Sequence, residues 1–120
     1  MYDHIGLKVT DMKVAVRFYS AALAPLGLVK DSEGDGYAGF GPKGSPGLWL
    51  HANQRKTGPG AHVAFKAQDR AAVDRFHEAG LKAGGKDNGK PGLRTDYSPN
   101  YYGAFLIDPD GNNVEAVCLK

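Results

Sequence analysis

Hydrophobic and polar positions alternate, then switch to a helical spacing, and they do so twice. Ile5, Leu7 and Val9 alternate with His4, Gly6 and Lys8, and Val63 and Phe65 alternate with His62, Ala64 and Lys66. A period of two over five or six residues is the pattern of a strand with two different faces. Each strand is followed by an aspartate, Asp11 or Asp69, in the place of a helix N-cap acceptor. Val14, Phe18 and Ala22 then form one apolar stripe, and Ala72, Phe76 and Gly80 the other, which predicts helices near 12–23 and 70–83. Gly27 and Gly84-Gly85 supply the stops. Past each helix the chain breaks at Asp35-Gly36, Gly41-Pro42, Ser45-Pro46-Gly47, Asp87-Asn88-Gly89 and Asp108-Pro109-Asp110-Gly111. These read as turns between short strands.

The two patterns are copies. Residues 4–28 lie over residues 62–86 at a constant offset of 58, and eight of the 25 pairs are identical, among them His4/His62, Asp11/Asp69 and Phe18/Phe76. The expected fold is α+β: two tandem modules, 1–52 and 61–120, each a strand, a helix and two or three further strands, joined by a short linker at 53–60 within one domain. A unit of about 60 residues is marginal alone, so the modules are expected to share a core or to pair with a second chain.

Charge changes the picture little. Fifteen basic and thirteen acidic side chains give a formal charge of +2, with no Lys/Arg stripe, so neither nucleic acid nor an anionic membrane is expected as a partner. The longest apolar run, 21–29, is broken by Pro25 and Gly27 and is too short to span a bilayer. The N-terminus does not have the build of a signal peptide, and the one cysteine, Cys118, cannot form an internal disulfide; both fit a cytoplasmic protein.

The alternation also assigns faces. If Ile5, Leu7 and Val9 cover a helix, His4 points the other way, and the same parity turns His62 and Glu115 to the helix-free side. Two imidazoles and a carboxylate suit one divalent ion, Mn, Fe, Ni, Co or Zn, with positions left open for substrate. The stretch from Arg94 to Gly103 holds three tyrosines, an arginine and an asparagine. It reads as a pocket wall in which Arg94 holds an anion, Tyr97 and Tyr101 contact substrate and Tyr102 moves a proton, or as a surface loop whose tyrosines pack over a sheet edge.

The segments Asp3-His4-Ile5-Gly6-Leu7 with Phe18-Tyr19, Gly60-Ala61-His62-Val63-Ala64-Phe65, and Asp108-Pro109-Asp110-Gly111-Asn112-Asn113-Val114-Glu115 together resemble the vicinal oxygen chelate superfamily. That group includes glyoxalase I, the fosfomycin-resistance enzymes, extradiol dioxygenases and bleomycin-resistance proteins. The resemblance spans nearly the whole chain and implies paired βαβββ modules whose curved mixed sheets form a cup, a homodimer, and a metal held at His4, His62 and Glu115. It implies a metal-dependent enzyme acting on vicinal oxygens of a small substrate by lyase, isomerase, transferase or dioxygenase chemistry. The alternative is a metal-free protein that binds and sequesters a small molecule.

Glyoxalase I resembles a four-ligand site whose second glutamate falls here on the segment Gly47-Leu48-Trp49-Leu50-His51. Allowing one residue of slack, Trp49 lies over Glu115, so typical glyoxalase I activity is not expected. His51 shares the face of Trp49 one pleat along, as a pocket base, a displaced ligand or a plain polar residue near a strand end. Ser98 stands where members with a similar PNYYGAF segment often carry a histidine.

Overall fold

The computed structural model describes residues 1–53 and 60–120; most of the expected linker, 54–59, lies outside the described residues. The elements are β1 (Ile5–Val9), α1 (Met12–Leu23), a short 3-10 turn (Ala24–Leu26), β2 (Val29–Gly34), β3 (Tyr37–Gly41), β4 (Leu48–Ala52), β5 (His62–Lys66), α2 (Arg70–Lys82), β6 (Lys86–Leu93), β7 (Tyr102–Ile107) and β8 (Asn113–Cys118). They form two four-stranded sheets, ordered β1-β4-β3-β2 and β5-β8-β7-β6. In each, the first strand runs parallel to the last and the hairpin strands are antiparallel. Two copies of one topology follow from two copies of one pattern.

Both helices begin as their sequences require. Asp11 accepts from the Val14 amide at 3.2 Å and Asp69 from the Ala72 amide at 2.7 Å, each satisfying a donor that the first helical turn leaves unpaired. The buried stripe of α2 includes Ala72, Phe76 and Gly80 as expected. In α1 it is turned by one residue: Ala15, Phe18, Tyr19, Ala22 and Leu23 are buried, while Val14 is 44% exposed. A face built on Phe18 with Tyr19 buries more ring area than one built on Val14, so the larger side chains set the rotation.

One hydrophobic core serves both modules, joining Leu7, Val9, Phe18 and Leu50 of the first to Val63, Phe76, Leu106 and Val114 of the second. Each large side chain so buried stabilises by about 1.5–3 kcal/mol. The helices meet where Gly80 lets Phe18 and Ala22 approach; a Cβ on Gly80 would stand 3.4 Å from the Phe18 ring and 2.3 Å from Leu106.

The Asp108–Asn113 turn locks the modules together. Asp108, 3% exposed, accepts from the Tyr19 hydroxyl (2.5 Å), the Asp110 and Asn112 amides and the Asn112 side chain (2.8 Å each). Asp110 accepts from both the amide and the hydroxyl of Thr10. Asn112 in turn accepts from the Ala61 amide, one residue before His62. Four donors on one buried carboxylate satisfy its charge without a cation.

Candidate functional site

Ladder register fixes what stands where. In the second sheet Ala64, Glu115, Phe105 and Gly89 form one row across four strands; in the first the equivalent row is Gly6, Trp49 and Gly39 on β1, β4 and β3. Trp49 therefore occupies the place of Glu115, as the sequence comparison of the modules anticipated. Val114, Ala116 and Cys118 of β8 join the core, so Glu115 lies on the face away from α2. It is nevertheless only 2% exposed, covered by side chains of its own face.

Two of those side chains grip its carboxylate. The Tyr101 hydroxyl donates to Oε1, and Nε2 of His62 lies 3.2 Å from Oε2. The other ring nitrogen of His62, Nδ1, is 3.1 Å from the Asn113 carbonyl oxygen. A carbonyl can only accept, so Nδ1 is a donor and Nε2 is the nitrogen turned toward Oε2. Two donors about 2.1 Å from one ion and at right angles to each other stand about 3 Å apart, so the pair has the bite of two adjacent metal ligands. The Tyr101 phenol is pushed up to about 12, first by burial and then by its bond to the Glu115 carboxylate, and so remains a donor well above neutral pH.

Around this pair lie Phe105, whose ring stacks 6.4 Å from that of His62, and Tyr97, edge-on to Tyr101 at 4.9 Å. The Arg94 guanidinium lies 5.5 Å from the Phe105 ring centroid, beside the bare backbone of Gly89. Of the expected pocket wall, Arg94, Tyr97 and Tyr101 thus gather beside His62 and Glu115.

The remaining expected residues fall elsewhere. Tyr102 is corrected: it lies on the helix-covered face, its hydroxyl donating to Asp74 of α2 at 2.6 Å under the Arg70 guanidinium. Adjacent strand residues face opposite ways, so only one of the two tyrosines can meet Glu115, and it is Tyr101. Trp49 lies over Gly39 with Tyr37 at 6.2 Å, and His51 lies over Gly6, both on the helix-free face of the first sheet. His4 precedes β1 with its side chain 60% exposed and Nδ1 2.7 Å from Asp3. Among the described residues no three His, Cys, Asp or Glu side chains converge, so His4 does not join His62 and Glu115 within one chain. Ser98 donates its amide toward the Arg94 carbonyl in the turn between β6 and β7 and accepts from the Tyr101 amide.

Sequence reading passed over Phe105, Asn88 and Asn113. The first and last share the parity of Glu115 along β7 and β8 and could have been found from it.

No helix among the described residues is long and apolar enough to cross a membrane. The chain is similar in structure to a glyoxalase/bleomycin resistance protein from Albidiferax ferrireducens T118, with a TM-score of 0.84, 28% identity and 98% of both chains covered. A glyoxalase/bleomycin resistance protein/dioxygenase family enzyme from Burkholderia phytofirmans PsJN shares the fold at a TM-score of 0.76 and 16% identity, again over 98% of both. A glyoxalase-related enzyme from Fulvimarina pelagi does so at 0.73 and 17%, over 95% of this chain and 84% of that one. No curated protein sequence matches. The model of the Glyoxalase/Bleomycin resistance protein/Dioxygenase superfamily matches residues 2–116. With the doubled βαβββ topology and the Asp108–Glu115 hairpin, that match establishes that the chain belongs to this superfamily.

Proposed function

We propose that the protein is a metal-dependent enzyme that takes two adjacent oxygens of a small substrate at a site built on His62 and Glu115. The observation that carries this reading is the 3.2 Å approach of His62 Nε2 to a buried carboxylate oxygen whose partner oxygen is already held by a phenol. One cation, a proton or a metal ion, is what such a pair shares. Imidazole and carboxylate suit Mn, Fe, Co, Ni or Zn. When bound, the ion would supply Lewis acidity toward the substrate oxygens. His62 would present Nε2, Glu115 would present Oε2, and Tyr101 would hold the carboxylate in place and exclude water from Oε1.

The third ligand in this reading is His4 of a second copy. His4 is exposed and apart from the pair in its own chain. In a homodimer, the helix-free face of one first sheet would close over that of the partner's second sheet. It would bring Trp49 and His51 above His62 and Glu115, as aromatic wall and candidate base. The alternative, a metal-free receptor that sequesters a small molecule, is favoured by the Trp49–Tyr37 platform over Gly39.

The test is to mix His4→Ala with Glu115→Ala protein and titrate Mn(II), Ni(II) or Zn(II) while following the melting temperature, which rises when the ion binds only the folded state. Recovery of a rise that each variant lacks alone supports a shared site. A rise in wild type that survives both His62→Ala and Glu115→Ala removes the assignment, and no rise in wild type favours the receptor.

A further inference from the structure

A cleft of about 310 Å³ opens on the same face, lined by Asn88, Gly89, Arg94, Tyr97, Phe105 and Asn113. Arg94 and Asn113 keep hydrogen-bonding capacity that the protein's own contacts leave unused. Arg94 donates to the Lys90 carbonyl at 2.6 Å and covers Phe105, yet forms no ion pair among the described residues. The Asn113 side-chain oxygen is buried and has no hydrogen-bond partner. Buried acceptors are nearly always paired, and an unpaired one at a cleft wall is a place for a donor brought by a ligand. Phe105 lines the same cleft.

Distance ties this cleft to the metal pair. The Phe105 ring centroid is 5.5 Å from the Arg94 guanidinium carbon and 6.4 Å from the His62 ring, so the two can be no farther apart than these distances laid end to end. One small molecule can reach both. The guanidinium, with a fork of donors only partly used, selects a planar carboxylate.

Building on the proposed metal site, we infer that the substrate is a small carboxylate. Its carboxylate is held by Arg94, a donor group meets the Asn113 side-chain oxygen, and its adjacent oxygens point at His62 and Glu115. Arg94 is thus the specificity residue. Nothing on the opposite, helix-covered face contributes, and Tyr102 is outside the contact.

The experiment uses Mn(II)-loaded protein and two probes that differ in one group, 3,4-dihydroxybenzoate and catechol, with binding measured by calorimetry. Wild type is expected to favour the carboxylate probe by about tenfold, the worth of one charge-assisted hydrogen-bonded contact. Arg94→Gln is expected to reduce that preference to under about twofold, with Mn(II) affinity unchanged. Because Arg94 also bonds the Lys90 carbonyl, Arg94→Lys is the companion variant: it keeps the charge without the fork, and an intermediate preference is expected. Equal binding of the two probes by wild type, or an undiminished preference in Arg94→Gln, overturns the inference. Wild type that binds no Mn(II) but still prefers the carboxylate supports this subsite while overturning the metal reading. Mn(II) binding without the preference does the reverse.

Discussion

Replacing Tyr101 with Phe removes one oxygen and leaves the ring packed edge-on against Tyr97. What is lost is the hydrogen bond to Oε1 of Glu115, a carboxylate only 2% exposed. Water has little access to take the place of the phenol, so the cost is that of a buried acceptor left unpaired, about 1–3 kcal/mol. In a domain of this size, about 2 kcal/mol lowers the melting temperature by roughly 6–10 °C. The carboxylate also becomes free to rotate away from His62, and loss of such an orienting partner weakens metal affinity by about 10- to 100-fold. Circular-dichroism melts of metal-free protein read the first effect and calorimetric Mn(II) titration the second. A variant that melts within about 1 °C of wild type and binds Mn(II) equally well would refute the reasoning, because Glu115 would then have no need of its phenol.

The same phenol gives a pH signature. Its folded value is raised to about 12 from 10.0, so its contribution is complete below pH 10 and is lost as the pH rises through 12; between those values wild type should lose stability that Tyr101→Phe does not, as followed by urea unfolding across that range. Tyr19→Phe should destabilise by about 1–3 kcal/mol, since Asp108 is buried and loses its bond from the first module; chemical denaturation checks this. Gly85→Ala should cost about 2–3 kcal/mol, because the new Cβ would stand 2.4 Å from the Phe18 ring and 2.9 Å from the Gly80 carbonyl oxygen; an unchanged midpoint of unfolding would contradict that packing.

The helices and first strands were legible in the sequence because capping aspartates and apolar spacing act locally. The later strands were harder to align. Gly6 pairs with Trp49 and Ala64 with Glu115, so the offset grows from 58 in the first strands to 66 in the last. Most of the surplus falls between β6 and β7, residues 94–101, where the first module needs only Asp35-Gly36. That added segment supplies Arg94, Tyr97 and Tyr101, so the part with no counterpart in the repeat carries much of the site wall. The choice between Tyr101 and Tyr102 was available in principle: Ala104 and Leu106 are core residues, which puts odd-numbered positions of β7 on the other face. The separation of His4 from His62 and Glu115 was not, because strand pattern fixes which face a residue takes but not which sheets meet.

The Asp108 turn has a consequence for the order in which the molecule assembles. Its bonds to Tyr19 and Thr10 close gaps of 89 and 100 residues. Loops of that length are entropically costly to close and form after local hairpins and helices have condensed. Asn112, anchored in the same turn, is what holds the start of β5 and so sets His62 beside Glu115. His62 and Glu115 both belong to the second module, so they come into register when β5 pairs with β8, ahead of the longer closures that dock the first module against it. One half of the chain thus sets the pair, and the Asp108 contacts to Tyr19 and Thr10 follow.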